Sequence, residues 1–227
     1  MEYLYETHVH TSESSRCGVS SGAEFARHFA SLGYRGMFVT DHFLNGNTVV
    51  PAELPWAERI AWFCRGYEAA AREGQRVGLD VFFGWEFHCG WPHLLTYGLD
   101  QAWLLAHPDL LEWDIVRYCD QVHADGGAIV QAHPFQDGMA VIQLMPARTD
   151  AIEVANACRP EITNRRAREF AVSYNLPQTA GSDIHDISQK RLCGVTCSRR
   201  LADGRDYVRA LKAGETTIFD VIRPAGK

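Results

Sequence analysis

The chain is expected to be an α/β protein, with short apolar strands alternating with longer amphipathic helices around one sheet. Three observations predict this class. Apolar runs too short for helices recur along the chain, segments of helical period separate them, and imidazole or carboxylate side chains follow the carboxyl ends of many of the runs. Alternation of this kind implies a largely parallel sheet with helical crossovers, either closed into a barrel or open. With 227 residues, 46% hydrophobic and 22% charged, and no Pro/Gly/Ser-rich linker, a single domain spanning 1–227 is expected.

The elements follow in order. Tyr3–Thr7 is the first strand. Ser21 to Leu32 is helical, with Phe25, Phe29 and Leu32 on one face and Gly33 as its stop. Gly36–Thr40 is a strand, and Pro55 to Val77 is helical through Trp56, Ile60, Phe63 and Tyr67. Asp80–Trp85 and Leu94–Gly98 are strands, and Leu110–Asp125 is a helix with Leu111, Ile115, Tyr118 and Val122 inward. Gly126–Gln131, Ala151–Val154, Gln178–Ala180 and Thr216–Phe219 complete the strands, with Ile162–Tyr174 as an intervening helix.

Composition narrows the function classes. A net charge of −6 argues against a partner such as long nucleic acid or an anionic membrane. No apolar run approaches the roughly 20 residues of a membrane span. Met1-Glu2-Tyr3-Leu4 enters the first strand directly, so no signal peptide is expected. The seven scattered cysteines lack a CxxC pair and are expected to be reduced thiols in a cytoplasmic setting. The oligomeric state is left open.

Chemistry concentrates at the strand ends. His8-Val9-His10 alternates, so an extended backbone projects both imidazoles to one side, within reach of one ion. Thr40-Asp41-His42, Trp85-Glu86-Phe87-His88, Ala132-His133-Pro134 and Asp183-Ile184-His185 each follow another apolar segment. A lone histidine pair carries little signal. Imidazoles and carboxylates repeated after strand ends point to one polynuclear metal site assembled from distant parts of the sequence.

In order, Glu6-Thr7-His8-Val9-His10-Thr11, Val39-Thr40-Asp41-His42, Gly84-Trp85-Glu86, His93-Leu94-Leu95, Ala132-His133-Pro134 and Gly181-Ser182-Asp183-Ile184-His185 resemble the motifs of the PHP (polymerase and histidinol phosphatase) superfamily. The resemblance spans residues 3 to about 197. It implies a distorted seven-stranded β/α (TIM-like) barrel holding two or three zinc, manganese or iron ions. It makes His8, His10, Glu86 and Asp183 ligands of a first ion, with Glu86 bridging to a second held by His93 and His133. His42 and His185 resemble ligands of a third.

The third site departs from the pattern, because the stretch after His10 reads Ser12-Glu13-Ser14-Ser15-Arg16-Cys17-Gly18. Either Glu13 or Cys17 supplies the missing ligand, or Arg16 replaces the cation as a bidentate phosphate clamp; the clamp is the preferred expectation. Asp41 and His88 are expected beside the ligands, with Asp41 orienting an imidazole through its second nitrogen. Arg159 is balanced between a substrate-phosphate contact and a solvated loop residue. The implied reaction is hydrolysis of a small phosphomonoester (histidinol phosphate, a nucleotide or similar) by a metal-activated hydroxide. Asp183 would orient the nucleophile and His185, His42 or His88 protonate the leaving group. The alternatives are a C–N or C–O hydrolase of amidohydrolase type and a non-catalytic metal-binding domain.

Overall fold

In the computed structural model, which describes residues 2–88 and 90–222, a strongly curved sheet carries the helices on its outside. The elements are β1 (Tyr3–Val9), α1 (Gly22–Ser31), β2 (Gly36–Val39), α2 (Trp56–Phe63), α3 (Arg65–Val77), β3 (Asp80–His88) and β4 (His93–Tyr97). They continue as α4 (Gln101–Ala106), α5 (Ile115–Ala124), β5 (Ala128–Ala132), β6 (Ala151–Asn156), α6 (Glu161–Ser173), β7 (Gln178–Gly181), β8 (Arg191–Cys197), α7 (Gly204–Lys212) and β9 (Thr216–Ile222). The strands pair in the order β7-β6-β5-β4-β3-β2-β1-β8-β9.

The ring comes from the first seven strands. Just past β7, Ile184 donates its N–H to His8 O at 3.1 Å and accepts from His10 N at 2.9 Å, so the chain leaving β7 lies alongside β1. Seven strands were expected; nine occur among the described residues. The extra pair is antiparallel: β8 pairs with the amino half of β1, and β9 pairs with β8. Only the carboxyl half of β1 is left to close the ring.

The largely parallel expectation is also corrected. β4 runs antiparallel to both β3 and β5. This reversal puts the start of β4 on the rim where its neighbours end, pairing His93 with His88 on one side and Ala132 on the other. β8, α4 and α7 have no counterpart in the sequence reading. The single helix expected over 55–77 is two, interrupted at Cys64, where the Ser14 hydroxyl donates to Phe63 O at 2.7 Å. The helix expected over 110–125 is a 3-10 turn at Leu110–Glu112 followed by α5.

Burial explains these placements. The amphipathic α7 fills the amino end of the barrel, with Tyr207, Val208, Ala210 and Leu211 buried in one cluster with Tyr5, Phe38 and Tyr97. Tyr97 donates from its hydroxyl to Thr7 O at 2.8 Å across the interior. Outside, Phe25 and Phe29 of α1 and Ala70 of α3 cover Met37 and Val39 of β2. The barrel is thereby sealed at one end, and polar side chains collect at the other.

A register shift in β1 between Glu6 and Val9 sets the direction of the histidines. Leu4 and Val9, five residues apart, both belong to the outer cluster, which unbroken alternation forbids. The bulge resets the alternation and turns His8 and His10 inward.

Among the described residues, no helix is long and apolar enough to cross a membrane. The six described cysteines are free, in line with the expected thiols, and Cys89 lies outside the described residues.

The α1–α3 contact makes a test of packing. A Cβ on Gly22 would lie 2.1 Å from Gly66 O and 3.1 Å from Ala70 Cβ. Gly22→Ala is therefore expected to cost about 1–3 kcal/mol by overpacking, measured by urea denaturation. An unchanged midpoint would show that the two helices can part freely.

Candidate metal centre

Barrel closure builds the site. The Ile184 bridge sets Asp183 and His185 beside His8 and His10, joining residues about 175 apart in the sequence. A second bridge, His42 to Glu86, lays the segment after β2 along the end of β3; Glu86 N donates to Asp41 O at 3.0 Å and Phe43 N to Glu86 O at 2.9 Å. His133 follows β5 and His93 opens β4. Two of these residues hold left-handed backbone, His133 at φ 28° and Asp183 at φ 52°. For side chains with a Cβ this conformation costs free energy and recurs at functional sites.

The donor atoms fit metal ions. An ion bound tetrahedrally at 2.0–2.1 Å leaves its ligands roughly 3.3 Å apart. His8 Nε2 and His10 Nε2 are 3.0 Å apart and lie 3.5 and 3.2 Å from Asp183 Oδ1. Around Glu86 Oε1 stand His93 Nδ1 at 3.0 Å, His133 Nε2 at 3.2 Å and His8 Nε2 at 3.8 Å. Glu86 Oε2 faces His42 Nδ1 at 2.5 Å, His10 Nε2 at 3.5 Å and His88 Nε2 at 3.6 Å, yet it is fully buried and accepts no hydrogen bond among the described residues. A buried carboxylate oxygen ringed by three imidazole nitrogens suits a group that bridges cations. The fit to the metals implied by the motifs is good.

Surrounding groups fix which ring nitrogen points inward. Glu153 Oε1 accepts from His8 Nδ1 at 2.8 Å, leaving Nε2 for the centre. Glu153 Oε2 accepts from His133 N and from Asn156 Nδ2, so one buried carboxylate orients parts of two strands. His10 Nδ1 lies 3.2 Å from Ser15 Oγ, whose hydroxyl donates to Asp41 Oδ1 at 2.7 Å. Asp41 therefore acts on an imidazole through a serine rather than directly, and it also accepts from the N–H and hydroxyl of Thr11. Glu6 clasps the closure: Oε1 accepts from the N–H groups of Thr7, His8 and Ser182, and Oε2 from the Ser182 hydroxyl at 2.5 Å.

Glu153, Ser15 and Glu6 were not singled out from the sequence. The available signal was a carboxylate inside an apolar strand, Ala151-Ile152-Glu153-Val154, where Ile152 and Val154 pack outward against Ala167 and Phe170 of α6 and Glu153 faces in.

The third group corrects one expectation. The Arg16 guanidinium is exposed and donates to Thr48 O at 3.0 Å, turned to the surface rather than to the histidines. Glu13 accepts from Gly22 N at the start of α1. Cys17 takes the inward position, with Sγ 3.2 Å from His42 Nε2. His42, His185 and His10 offer ligand atoms within 4.8 Å of one another, and His185 Nδ1 bonds to Asp183 O at 2.6 Å. His88, expected beside the ligands, has Nε2 2.9 Å from His42 Nδ1 and forms a further donor group with His42 and Glu86. Gly46 makes room for that ring, since a Cβ there would meet His88 Cδ2 at 2.6 Å.

Arg159 lies at the mouth. Its Nη2 donates to Asp183 Oδ2 at 3.3 Å, a quarter of the side chain is exposed, and Nε has no partner among the described residues. Elsewhere, His123 pairs with Asp150, and Arg191 pairs with Asp220 and Glu161.

Electrostatics follows from this crowding. Burial opposes charge on Glu86, but the imidazoles of His42, His93 and His133 hold its carboxyl well below the usual range. Asp183 is also held well below, with His8 and His10 outweighing burial. His8 is pushed up to about 9 by Asp183 and Glu153 against burial, while burial and His42 push His10 down. The Cys17 thiol, despite burial, falls to about 6 beside His185 and His42. Anionic carboxylates among largely buried imidazoles make a centre prepared for cations.

Comparisons with known proteins agree with this architecture. The PHP-associated family model matches residues 161–216. In fold, the chain is similar to a two-domain Bacteroides vulgatus protein containing a predicted PHP-like metal-dependent phosphoesterase (TM-score 0.72, 16% identity, 96% of this chain). It spans 65% of that protein's length. A candidate metal-dependent phosphoesterase of Bifidobacterium adolescentis matches at TM-score 0.56 and 15% identity, covering 92% of this chain and 95% of the other. An amidohydrolase of Chromobacterium violaceum, crystallised with sulfate and without metal, matches at TM-score 0.57 and 18% identity, covering 97% and 98%. No curated protein matches in sequence. At such identities the structural likeness is one of fold. The matched carboxyl-terminal segment and this fold agree with the resemblance to the PHP superfamily that the ordered motifs carry.

Glu153→Ala should weaken metal retention roughly 10–100-fold, the usual consequence of removing a carboxylate that orients a ligating histidine, measured by chelator competition; wild-type retention would show that His8 holds its tautomer unaided. Chelation of the intact protein should lower its thermal midpoint, since ligand at about 100 times its Kd contributes about 2.7 kcal/mol. Scanning calorimetry before and after metal return checks this.

Proposed function

We propose that the chain is a metal-dependent phosphoesterase acting on a small phosphomonoester, in the class of histidinol phosphate or a nucleotide. The observation that carries the reading is the convergence of His8, His10, Glu86, His93, His133 and Asp183 at the open end of the barrel, with a buried Glu86 oxygen accepting no hydrogen bond. Those residues would hold divalent zinc, manganese or iron. Bound there, such ions supply Lewis acidity, lowering the pKa of water toward roughly 7 and neutralising phosphoryl oxygens.

The protein's own groups perform the remaining tasks. Arg159, partly exposed and with Nε unpaired, binds a phosphate oxygen at the mouth, a role the surface-facing Arg16 does not fill. Asp183 Oδ2, held by Asn156 Nδ2 and Arg159, orients the attacking water. Glu153 and the Ser15–Asp41 pair keep the Nδ1 protons of His8 and His10 outside the reaction. Phosphate specificity then arises from cations plus one guanidinium, with no serine or cysteine nucleophile required.

The runner-up is C–N or C–O hydrolysis, favoured by the fold likeness to the Chromobacterium violaceum amidohydrolase. Against it, the chain has lysines only at 190, 212 and 227, and neither Lys190 nor Lys212 stands in a strand where it could bridge metals; Lys212 pairs with Asp150. A non-catalytic role has no comparable support.

Metal-reconstituted protein should hydrolyse members of a phosphomonoester panel and leave amides intact. His8→Ala and Asp183→Ala should reduce turnover to the metal-in-buffer background while circular dichroism stays native. Full activity in well-metallated variants would reject these assignments, and amide turnover without phosphoester turnover would favour the runner-up.

A further inference from the structure

The side chains after His10 leave one feature that the two cation groups around Glu86 do not use. We propose that Cys17 supplies the sulfur ligand of the third cation group, that of His42 and His185, so that this group selects a thiophilic divalent ion such as zinc over manganese or magnesium. The proposal deepens the metal-dependent reading and rests on it only for the presence of metal at this end of the barrel.

Geometry carries it first. His42 divides its nitrogens, with Nδ1 facing Glu86 Oε2 at 2.5 Å and Nε2 facing Cys17 Sγ at 3.2 Å. A tetrahedral zinc with bonds of about 2.3 Å to sulfur and 2.0–2.1 Å to nitrogen would set those atoms roughly 3.5 Å apart. His42 and His185 lie in one donor group with His10.

The backbone holds this arrangement independently. Gly18 N donates to Ser15 O at 3.0 Å and Arg16 N to Asn47 O at 2.8 Å, fixing the turn that carries Cys17. Immediately after it, Val19 N and Ser20 N donate to His185 O at 2.8 and 3.2 Å. The cysteine and one of its histidine partners are thus tied through their own main chains. Gly18 permits the tight return, because a Cβ there would lie 2.4 Å from Thr11 O. Arg16, the neighbour that cannot ligate, is drawn to the surface by the same turn.

The remaining described cysteines differ. Cys64, Cys119, Cys193 and Cys197 are buried in apolar clusters. Cys158 is exposed, and its thiol points to Asp183 O at 3.1 Å and Gln189 Oε1 at 3.3 Å. Cys17 alone among these joins a sulfur to the His42 ring. Thiolate and imidazole favour zinc, whereas carboxylate-rich sets suit harder ions. Among the described residues the chain therefore offers one nitrogen–sulfur site beside the groups of Glu86.

Cobalt(II) tests this by spectrum rather than by turnover. Apo protein loaded with cobalt should show a near-ultraviolet sulfur-to-cobalt charge-transfer band. Cys17→Ser should lose the band together with one equivalent of tightly bound metal, and Cys158→Ser should keep both. In wild-type protein, zinc should slow alkylation of Cys17 by iodoacetamide, followed by peptide mass spectrometry, which gives a reading even if the serine variant folds poorly. A loaded wild type without the band, a band surviving in Cys17→Ser, loss confined to Cys158→Ser, or alkylation indifferent to zinc would each overturn the proposal. Phosphoester turnover in the same samples separates the two readings. A band without turnover leaves the sulfur ligand standing and removes the hydrolase, while turnover without a band does the reverse.

Discussion

Closure of the ring at Ile184 is the constraint on which the rest depends. Two backbone hydrogen bonds to β1, reinforced by the buried Glu6 carboxylate that gathers N–H groups from both segments, place Asp183 and His185 against His8 and His10. Burial pushes Glu6 up to about 7, so its hydrogen bonds are needed to keep it in place. Without this junction Asp183 and the His8–His10 pair would belong to opposite ends of an open sheet. The β8–β9 pair takes the amino half of β1, leaving only its carboxyl half free to close the ring, on the rim where the candidate donors gather.

The same rim shows how free energy is distributed. Two ligand candidates hold left-handed backbone, and two carboxylates remain ionised in full burial. Both features are unfavourable alone. They persist because the barrel wall over-determines them: apolar clusters grip each strand from outside, α7 closes the far end, and Glu153 and Ser15 anchor the outer ring nitrogens. Bound cations would offset the remaining cost by taking the place of protons such as the one His8 holds at neutral pH.

Much of the site was legible because metal ligation uses few residue types and because strand ends are marked by apolar runs. His8, His10, His42, Glu86, His133, Asp183 and His185 were named from such positions and His93 from the motif resemblance, and the structure brings all eight together. Arg16 was misplaced for a local reason: its charge suggested a clamp, but a one-residue difference in a tight turn decides between surface and cluster. Asp41 was expected to touch a histidine and does so through Ser15, an intermediary that spacing cannot reveal. Glu153 was hidden within an apolar strand, where only its facing direction separates it from its neighbours.

By itself, the sequence determined the α/β class, the strand ends that carry imidazole and carboxylate, and the donor chemistry on offer, since periodicity and residue type are local properties. Tertiary structure alone decided the antiparallel turn of β4 that brings His93 to the ligand rim, the bulge that points His8 and His10 inward, and the choice of Cys17 over Arg16 beside His42. Those outcomes depend on pairing between segments far apart in the chain, and the free energy of such pairing is set by packing and hydrogen bonds that exist only once the barrel has closed.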